Sequence, residues 1–273
     1  MTAVSIISAE GVSHQKDGRM PVMRALPEEV PVAVVFNGST LAVMMATPAA
    51  VADFAHGFAL TEGIIDDLEQ IESFELVEHP KGLEARFWIC ASKADALGAR
   101  RRSMAGPVGC GLCGIDSLDQ AMRALPHVGD TGMRLQASEV ARATDALRPA
   151  QELHRLTHAT HAAGFLVPGQ GIIALREDVG RHNALDKLIG ALWRDGVDPS
   201  SGAVVMTSRL SVELVQKCAM AGIPALIAVS APTGEALRQA EASGMTLVAF
   251  ARGGGFDIYA HPHRILDEDS DVA

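Results

Sequence analysis

Apolar residues alternate with polar ones, or run in short bursts, where the chain reads as strand, and recur three and four residues apart where it reads as helix. The burst Val30-Pro31-Val32-Ala33-Val34-Val35-Phe36 predicts a strand, Asn37-Gly38 a tight turn, and residues 41–45 the returning strand. Thr47-Pro48 reads as a helix start, with threonine as cap and proline in the first turn. Val51, Phe54, Ala55 and Phe58 then mark one face, His56 reads as a packing or surface residue, and Gly63 ends the helix. Residues 71–77 and 83–90 predict a second strand pair about Pro80-Lys81-Gly82, with Cys90 as a small buried apolar residue. Residues 1–20 show no period and read as a loose tail. The polar, arginine-rich stretch 91–106 reads as a mobile loop leading to Cys110 and Cys113. A helix is predicted from Ile115 to about Leu125, and another over 137–147.

The second half is more regular. Residues 153–160 read as a helix carrying His154, His158 and His161 four and three apart, a spacing that could put three imidazoles on one face, although helix ends also collect histidines with no metal role. Residues 161–167 and 172–175 predict a hairpin through Pro168-Gly169-Gln170-Gly171. The block Arg176-Glu177-Asp178-Val179-Gly180-Arg181-His182-Asn183 reads either as a solvated loop or as a functional rim between strand and helix. Leu185, Leu188, Ile189 and Leu192 follow on one helical face, and Cys218 falls on a core face with Leu214 and Ala221. Strands at 203–207, 225–229 and 246–250 alternate with helices at 212–221 and 234–243, which implies a largely parallel sheet covered on both sides. The expected fold class is therefore α/β. A sheet-and-helix portion spans 149–265, a smaller α+β portion spans 21–148 and carries the cysteine pair, and tails occupy 1–20 and 266–273.

Composition narrows the function classes. With 273 residues and 48% hydrophobic content there is ample material for a core. The net charge of −10 argues against broad nucleic-acid or anionic-membrane binding, leaving only local basic spots such as Ala99-Arg100-Arg101-Arg102. No apolar run approaches the roughly 20 residues that span a bilayer. Four cysteines in such a chain do not make a disulfide framework, so a reducing, cytoplasmic setting is expected.

In an open parallel sheet, ligands bind beyond the carboxyl ends of the strands. Three such ends read Thr207-Ser208-Arg209, Ser230-Ala231-Pro232-Thr233 and Ala251-Arg252-Gly253-Gly254-Gly255. Hydroxyls, two arginines, a helix cap and a glycine run suit an anionic, phosphate-bearing ligand such as a nucleotide. The plainer alternative is that the glycines only turn the chain.

Gly109-Cys110-Gly111-Leu112-Cys113-Gly114 brings two sulfurs near one point with bare backbone around them, and the pair favours one low-pKa thiolate. Structural zinc would need two more ligands, and no second such pair exists. A thioredoxin-like dithiol usually lacks the flanking glycines. A zinc deaminase needs H-x-E, whereas His161-Ala162-Ala163 places alanine where the glutamate belongs. Sulfur transfer, in which a thiolate carries a sulfane sulfur as a persulfide, suits an exposed paired thiol.

The chain resembles the formate dehydrogenase accessory sulfurtransferase family of the FdhD/NarQ type. The resemblance rests on Val34-Val35-Phe36-Asn37-Gly38, Gly57-Phe58-Ala59-Leu60-Thr61-Glu62-Gly63-Ile64-Ile65, Cys110-Gly-Leu-Cys113-Gly114, His161-Ala-Ala163, the run from Arg176 to Lys187, Val215-Gln216-Lys217, Ala228-Val-Ser-Ala-Pro-Thr233 and Phe250-Ala251-Arg252-Gly253. It implies a cytidine-deaminase-like fold, a homodimer, and a cytoplasmic carrier that takes sulfur from a cysteine desulfurase. The sulfur would pass to the molybdenum of a bis(molybdopterin guanine dinucleotide) cofactor before insertion into formate dehydrogenase. By the same resemblance Cys110 carries the persulfide with Cys113 as partner, no resident metal is expected, and Phe250, Ala251, Arg252, Gly253, Gly254 and Gly255 bind the cofactor, which GDP would mimic. A cofactor chaperone that handles no sulfur is the non-enzymatic alternative. The chain departs from the family at Gly255, where a second basic residue is common, and at Thr207-Ser208-Arg209, which replaces Ser-Gly-Arg but keeps the arginine.

Overall fold

A computed structural model describes residues 5–102 and 124–267. The chain opens on a two-stranded ribbon, β1 (Ile6–Gln15) and β2 (Gly18–Pro27), paired from Ile6↔Pro27 to Gln15↔Gly18. Strands therefore stand where a loose tail was expected over residues 1–20. Both faces of the ribbon are largely exposed, so no apolar period marks it; Asp17-Gly18 at the turn is its one local signal.

The next sheet contains β3 (Val30–Phe36), β4 (Ser39–Ala46), β5 (Ile71–His79) and β6 (Gly82–Ile89) in the order β4-β3-β6-β5, with β3 parallel to β6. Helix α1 (Val51–Thr61) covers it, burying Phe54, Ala55 and Phe58 with Val32, Val34, Phe36 and Phe87. His56 is a core residue: its ring meets those of Phe74 and Phe87 at 4.6 and 5.1 Å, and burial lowers its pKa.

Two expectations fail locally. The helix starts at Val51 after a left-handed Ala50, because Thr47 is held by tertiary partners instead of capping. Residues 91–102 form α2 rather than a loop, as their alanines and lysine favour, and the helix buries its Leu97 in the N-terminal core. Cys90 lies just before α2, half-buried rather than inside a strand. Ser92 Oγ, 3.5 Å away, and the Lys93 N–H draw its thiol pKa down. The stretch with Cys110 and Cys113, and most of the helix expected after it, lie outside the described residues.

The C-terminal portion has β7 (Leu135–Gln136), α3 (Ala137–Leu147), α4 (Glu152–Thr157), β8 (His161–Val167), β9 (Gly171–Asp178) and α5 (Arg181–Arg194). There follow β10 (Ala203–Met206), α6 (Val212–Met220), β11 (Ala225–Ala228), α7 (Gly234–Ser243), β12 (Thr246–Arg252), β13 (Gly255–Ala260) and β14 (Ile265–Leu266). Six strands order as β13-β12-β11-β10-β8-β9. The three strands β10, β11 and β12 are parallel; β8 and β13 run against their neighbours, so the sheet is mixed. β10 shows the period of two: Val204 packs with Leu185, Leu188 and Leu214 under α5 and α6, while Val205 packs with Val140 and Leu147 under α3. Cys218 is fully buried in the first cluster. β14 pairs with β7 and reaches Leu266, the first residue of the segment expected as a tail.

Helices α1 and α5 join the two portions, touching backbone to backbone. A Cβ on Gly57 would stand 1.8 Å from the Asp186 carbonyl oxygen, and one on Gly190 would stand 1.9 Å from that of Asp53. Around this crossing, Lys217 Nζ donates to Asp186 at 3.0 Å, Thr61 at 3.0 Å and Glu62 at 3.1 Å. Lys187 and Asp178, both wholly buried, pair at 2.6 Å. Removing one partner of such a buried pair typically costs about 3–5 kcal/mol, because the other charge is left stranded.

Candidate functional site

In the block 176–183, Asp178 and Asn183 are buried and the other residues half-buried. Asp178 accepts from the Thr47 and Gly180 N–H groups at 3.0 and 2.8 Å, from Asn183 at 3.0 Å and from Lys187. Asn183 also donates to the Met45 carbonyl, and Arg176 donates to Asp53. These bonds fix the strand-to-helix turn that starts α5. Only its start remains near the sheet's carboxyl edge, where His182 lies 3.8 Å from Glu213 in the first turn of α6. The facing imidazole, though beyond hydrogen-bond distance, draws the Glu213 carboxyl below its ordinary range.

A carboxyl favoured as the anion in the fold stabilises it above its ordinary range and loses that contribution as pH falls through the folded value. Glu213→Gln is therefore expected to cost about 1 kcal/mol near neutral pH, after discounting for solvent. Urea unfolding should show the gap between variant and parent closing as pH falls from about 4.5 toward about 2. A gap independent of pH would refute this.

The three strand ends do converge on one edge, since β10, β11 and β12 are parallel and β8, running the other way, starts there. Thr207 Oγ1 accepts from the Ala162 N–H at 2.9 Å, and Arg209 is exposed. Thr233 caps α7 by accepting from the Ala236 N–H at 3.2 Å. Leu210 and Pro232 form a bridge that ties the two loops together.

Phe250 takes a left-handed φ of 52° where the β12–β13 register shifts, and its ring lies 6.4 Å from that of Tyr259. Ala251 is buried, and its carbonyl accepts from Thr144 Oγ1 on α3. Arg252 to Gly255 form the exposed hairpin tip, turned by Gly253 and Gly254 at φ 62° and 83°. The glycine run makes a two-residue strand turn that projects from the same edge. An added Cβ at Gly253, Gly254 or Gly255 would meet nothing within 4 Å.

Beside the hairpin is a cavity of about 660 Å³ lined by α3, α4 and the edge of the sheet. The three histidines meet there, but not on one helical face. α4 ends at Thr157, His158 is left-handed at φ 55°, and His161 begins β8. His154 Nδ1 lies 3.0 Å from the Thr160 carbonyl, its ring 5.7 Å from that of His158. Burial, reinforced by Arg181 and His154, lowers the His161 pKa. No group of histidine, cysteine and acidic residues suited to a metal ion occurs among the described residues. Arg148 and Arg155 complete a cationic lining that no sequence period signals, because it is assembled from a 3₁₀ turn, a six-residue helix and two strand ends.

The FdhD/NarQ family matches residues 27–266. Proteins described as sulfur carrier protein FdhD are similar along most of their length. That of Agrobacterium fabrum is 52% identical over 243 residues, 89% of this chain and 90% of the relative. That of Brucella abortus is 50% identical over 256 residues, 94% and 95% of the two chains. The fold is similar to the crystal structure of a protein described as a formate dehydrogenase accessory protein from Desulfotalea psychrophila, with a TM-score of 0.74, 25% identity, and coverage of 96% of this chain and all of that one. No helix among the described residues is long and apolar enough to cross a membrane. With its mixed sheet and near-complete alignment, the chain belongs to the FdhD/NarQ family.

Proposed function

We propose that this protein is a sulfur carrier in the maturation of formate dehydrogenase. Cys110, as a thiolate, attacks the outer sulfur of a persulfide on a cysteine desulfurase; a new S–S bond forms and the donor leaves as its own thiolate. Cys113, three residues on, is its partner thiol, a spacing that favours a thiolate within the pair. The Cys113 thiolate then attacks Cys110 Sγ; a Cys110–Cys113 disulfide forms, the bond to the terminal sulfur breaks, and that sulfur, reduced by the two thiolate electrons, leaves as sulfide for the molybdenum of a bis(molybdopterin guanine dinucleotide) cofactor bound as cargo. The observation that carries this reading is the Cys110-Gly-Leu-Cys113 pair in a chain about half identical to proteins called sulfur carriers.

The exposed hairpin Phe250-Ala251-Arg252-Gly253-Gly254-Gly255, at the edge where open sheets bind ligands, supports placing the guanine dinucleotide there. The reading includes a homodimer, a cytoplasmic setting and a cytidine-deaminase-like sheet. A zinc-dependent deaminase-like hydrolase is the weaker alternative, because Ala163 stands where the proton-shuttling glutamate is needed.

Mass spectrometry after incubation with a cysteine desulfurase and cysteine tests the carrier directly. A mass gain of one sulfur on the peptide holding Cys110 is expected; its absence would leave a cofactor chaperone without sulfur transfer. Arg252→Ala is expected to weaken GDP binding about tenfold, the loss of one charge-assisted contact. Unchanged calorimetric affinity would remove the hairpin from the cofactor site.

A further inference from the structure

We propose that the open edge of β1 is an interface between two copies of this chain, which pair β1 to β1 about a twofold axis into one four-stranded sheet. This interface gives a surface to the homodimer named above and rests on that reading only for the presence of a second copy. The Glu28 N–H donates to the Ser5 carbonyl at 2.9 Å, which fixes the hydrogen-bonding phase of the ribbon. Odd-numbered residues of β1 bond to β2, so Ile6, Ser8, Glu10, Val12 and His14 turn their N–H and C=O groups outward. No third strand takes these groups among the described residues. β1 is 10 residues long and keeps an unbroken register with β2, so its edge has neither bulge nor proline. Such an edge is a template for another strand.

The two edges of the ribbon are not alike. Pro21 and Pro27 stand opposite Val12 and Ile6, at outward positions of β2, and supply no N–H there. Pairing through β1 therefore covers the competent edge and leaves a proline-blunted strand on each side. Growth stops at two copies, as a closed twofold assembly requires. The side chains select the register. With Val12 on the axis, Glu10 of each copy faces His14 of the other, and His14 has Arg19 beside it in its own ribbon. A register centred on Glu10 would instead set two carboxylates opposite each other. Val12 is 70% exposed, more than any other large apolar residue among those described, and Met20 and Met23 are exposed by 54% and 58%. A lone two-stranded ribbon is marginally stable in water, whereas four strands with an apolar face can hold together. Two strands of 10 residues per copy also approach the about 20–30 residues a side of a standard interface.

Sedimentation equilibrium of the full chain, with hydrogen exchange of the ribbon amides, tests the interface. The parent is expected to be a dimer whose Glu10, Val12 and His14 amides exchange about tenfold or more slower than in the diluted monomer. Val12→Pro removes an outward N–H without touching the bonds between β1 and β2, and symmetry applies the loss twice. It should weaken the dimer about tenfold or more. Met23→Pro makes the same change on the outer edge of β2 and should leave the dimer intact. His14→Glu should weaken the dimer by setting Glu10 against a second carboxylate, and adding Glu10→Lys should restore it. Circular dichroism checks that the variants are folded. A dimer indifferent to Val12→Pro, or one lost equally in Met23→Pro, would overturn the ribbon interface and leave a homodimer through another surface. A monomeric parent would sink the interface and the homodimer together. Ribbon amides that slow only when a cysteine desulfurase is added would overturn the second copy and give the edge to that partner.

Discussion

Cys110→Ala is expected to abolish maturation of formate dehydrogenase, about a hundredfold or more, while leaving the thermal midpoint unchanged. The size of the effect follows from the chemistry. A persulfide needs a sulfur nucleophile, and alanine removes the only atom at that position that can accept sulfane sulfur. Cys110→Ser serves as a stricter variant, since it keeps a polar atom of similar reach, but a hydroxyl cannot store the sulfur and should fail equally. The measurement is formate dehydrogenase activity in a host lacking its own carrier, with melting curves of the purified variants beside it. Activity near the parental level would end the carrier reading, whereas lost activity with a collapsed melting curve would point to folding. Cys218 is the internal control among the thiols: it is wholly buried, and burial pushes its pKa far up, so it has no thiolate to offer.

Gly57→Ala should be among the most damaging substitutions remote from the chemistry, costing about 3 kcal/mol or more. The new methyl would meet the Asp186 carbonyl oxygen at 1.8 Å and the Gly190 nitrogen at 2.9 Å. These are backbone atoms of a packed helix and cannot rotate away, so α1 and α5 must part. Parting them would stretch the Lys217 bonds to Thr61, Glu62 and Asp186 and open two cores at once. Gly190→Ala meets Asp53 in the same way and should behave alike. Gly255→Ala is the contrast: nothing lies within 4 Å of its added Cβ, and a change within about 0.5 kcal/mol is expected. Urea unfolding of the three variants decides the matter, and a Gly57→Ala midpoint equal to that of Gly255→Ala would contradict the close-crossing account.

The crossing also links fold to site. α5 begins at the turn fixed by Asp178 and Asn183, and its first residues face His161 and Glu213 at the sheet edge. The N-terminal portion acts on that edge through Thr47, which engages Asp178, Val179 and Lys187. The Arg176-to-Lys187 stretch, polar enough in sequence to suggest a solvated loop, is therefore chiefly an internal clamp.

Wherever one face of an element is buried against its own layer, the amino-acid sequence alone determined the outcome. Val30–Phe36 with Asn37-Gly38, the helix Ala137–Leu147, the hairpin from His161 as far as Leu175 and the alternation from Ala203 onward were all legible, because local period and turn chemistry agree with the packing there; the last three residues of β9, Arg176 to Asp178, were not, since they read as part of the polar block. The cysteine pair and the family were legible too, since spacing and motif are properties of the chain itself. The ribbon Ile6–Pro27 was not, because a strand exposed on both faces carries no apolar period. Nor was the true start of α1, where a buried carboxylate from distant Asp178 outcompetes a local cap. The cationic cavity lay furthest from view: Arg148, His154, His158, His161 and Thr207 become neighbours only when a reversed strand starts where parallel strands end. Periodicity reports which face of an element is wet, but the meeting of several elements at one edge is settled by tertiary packing alone.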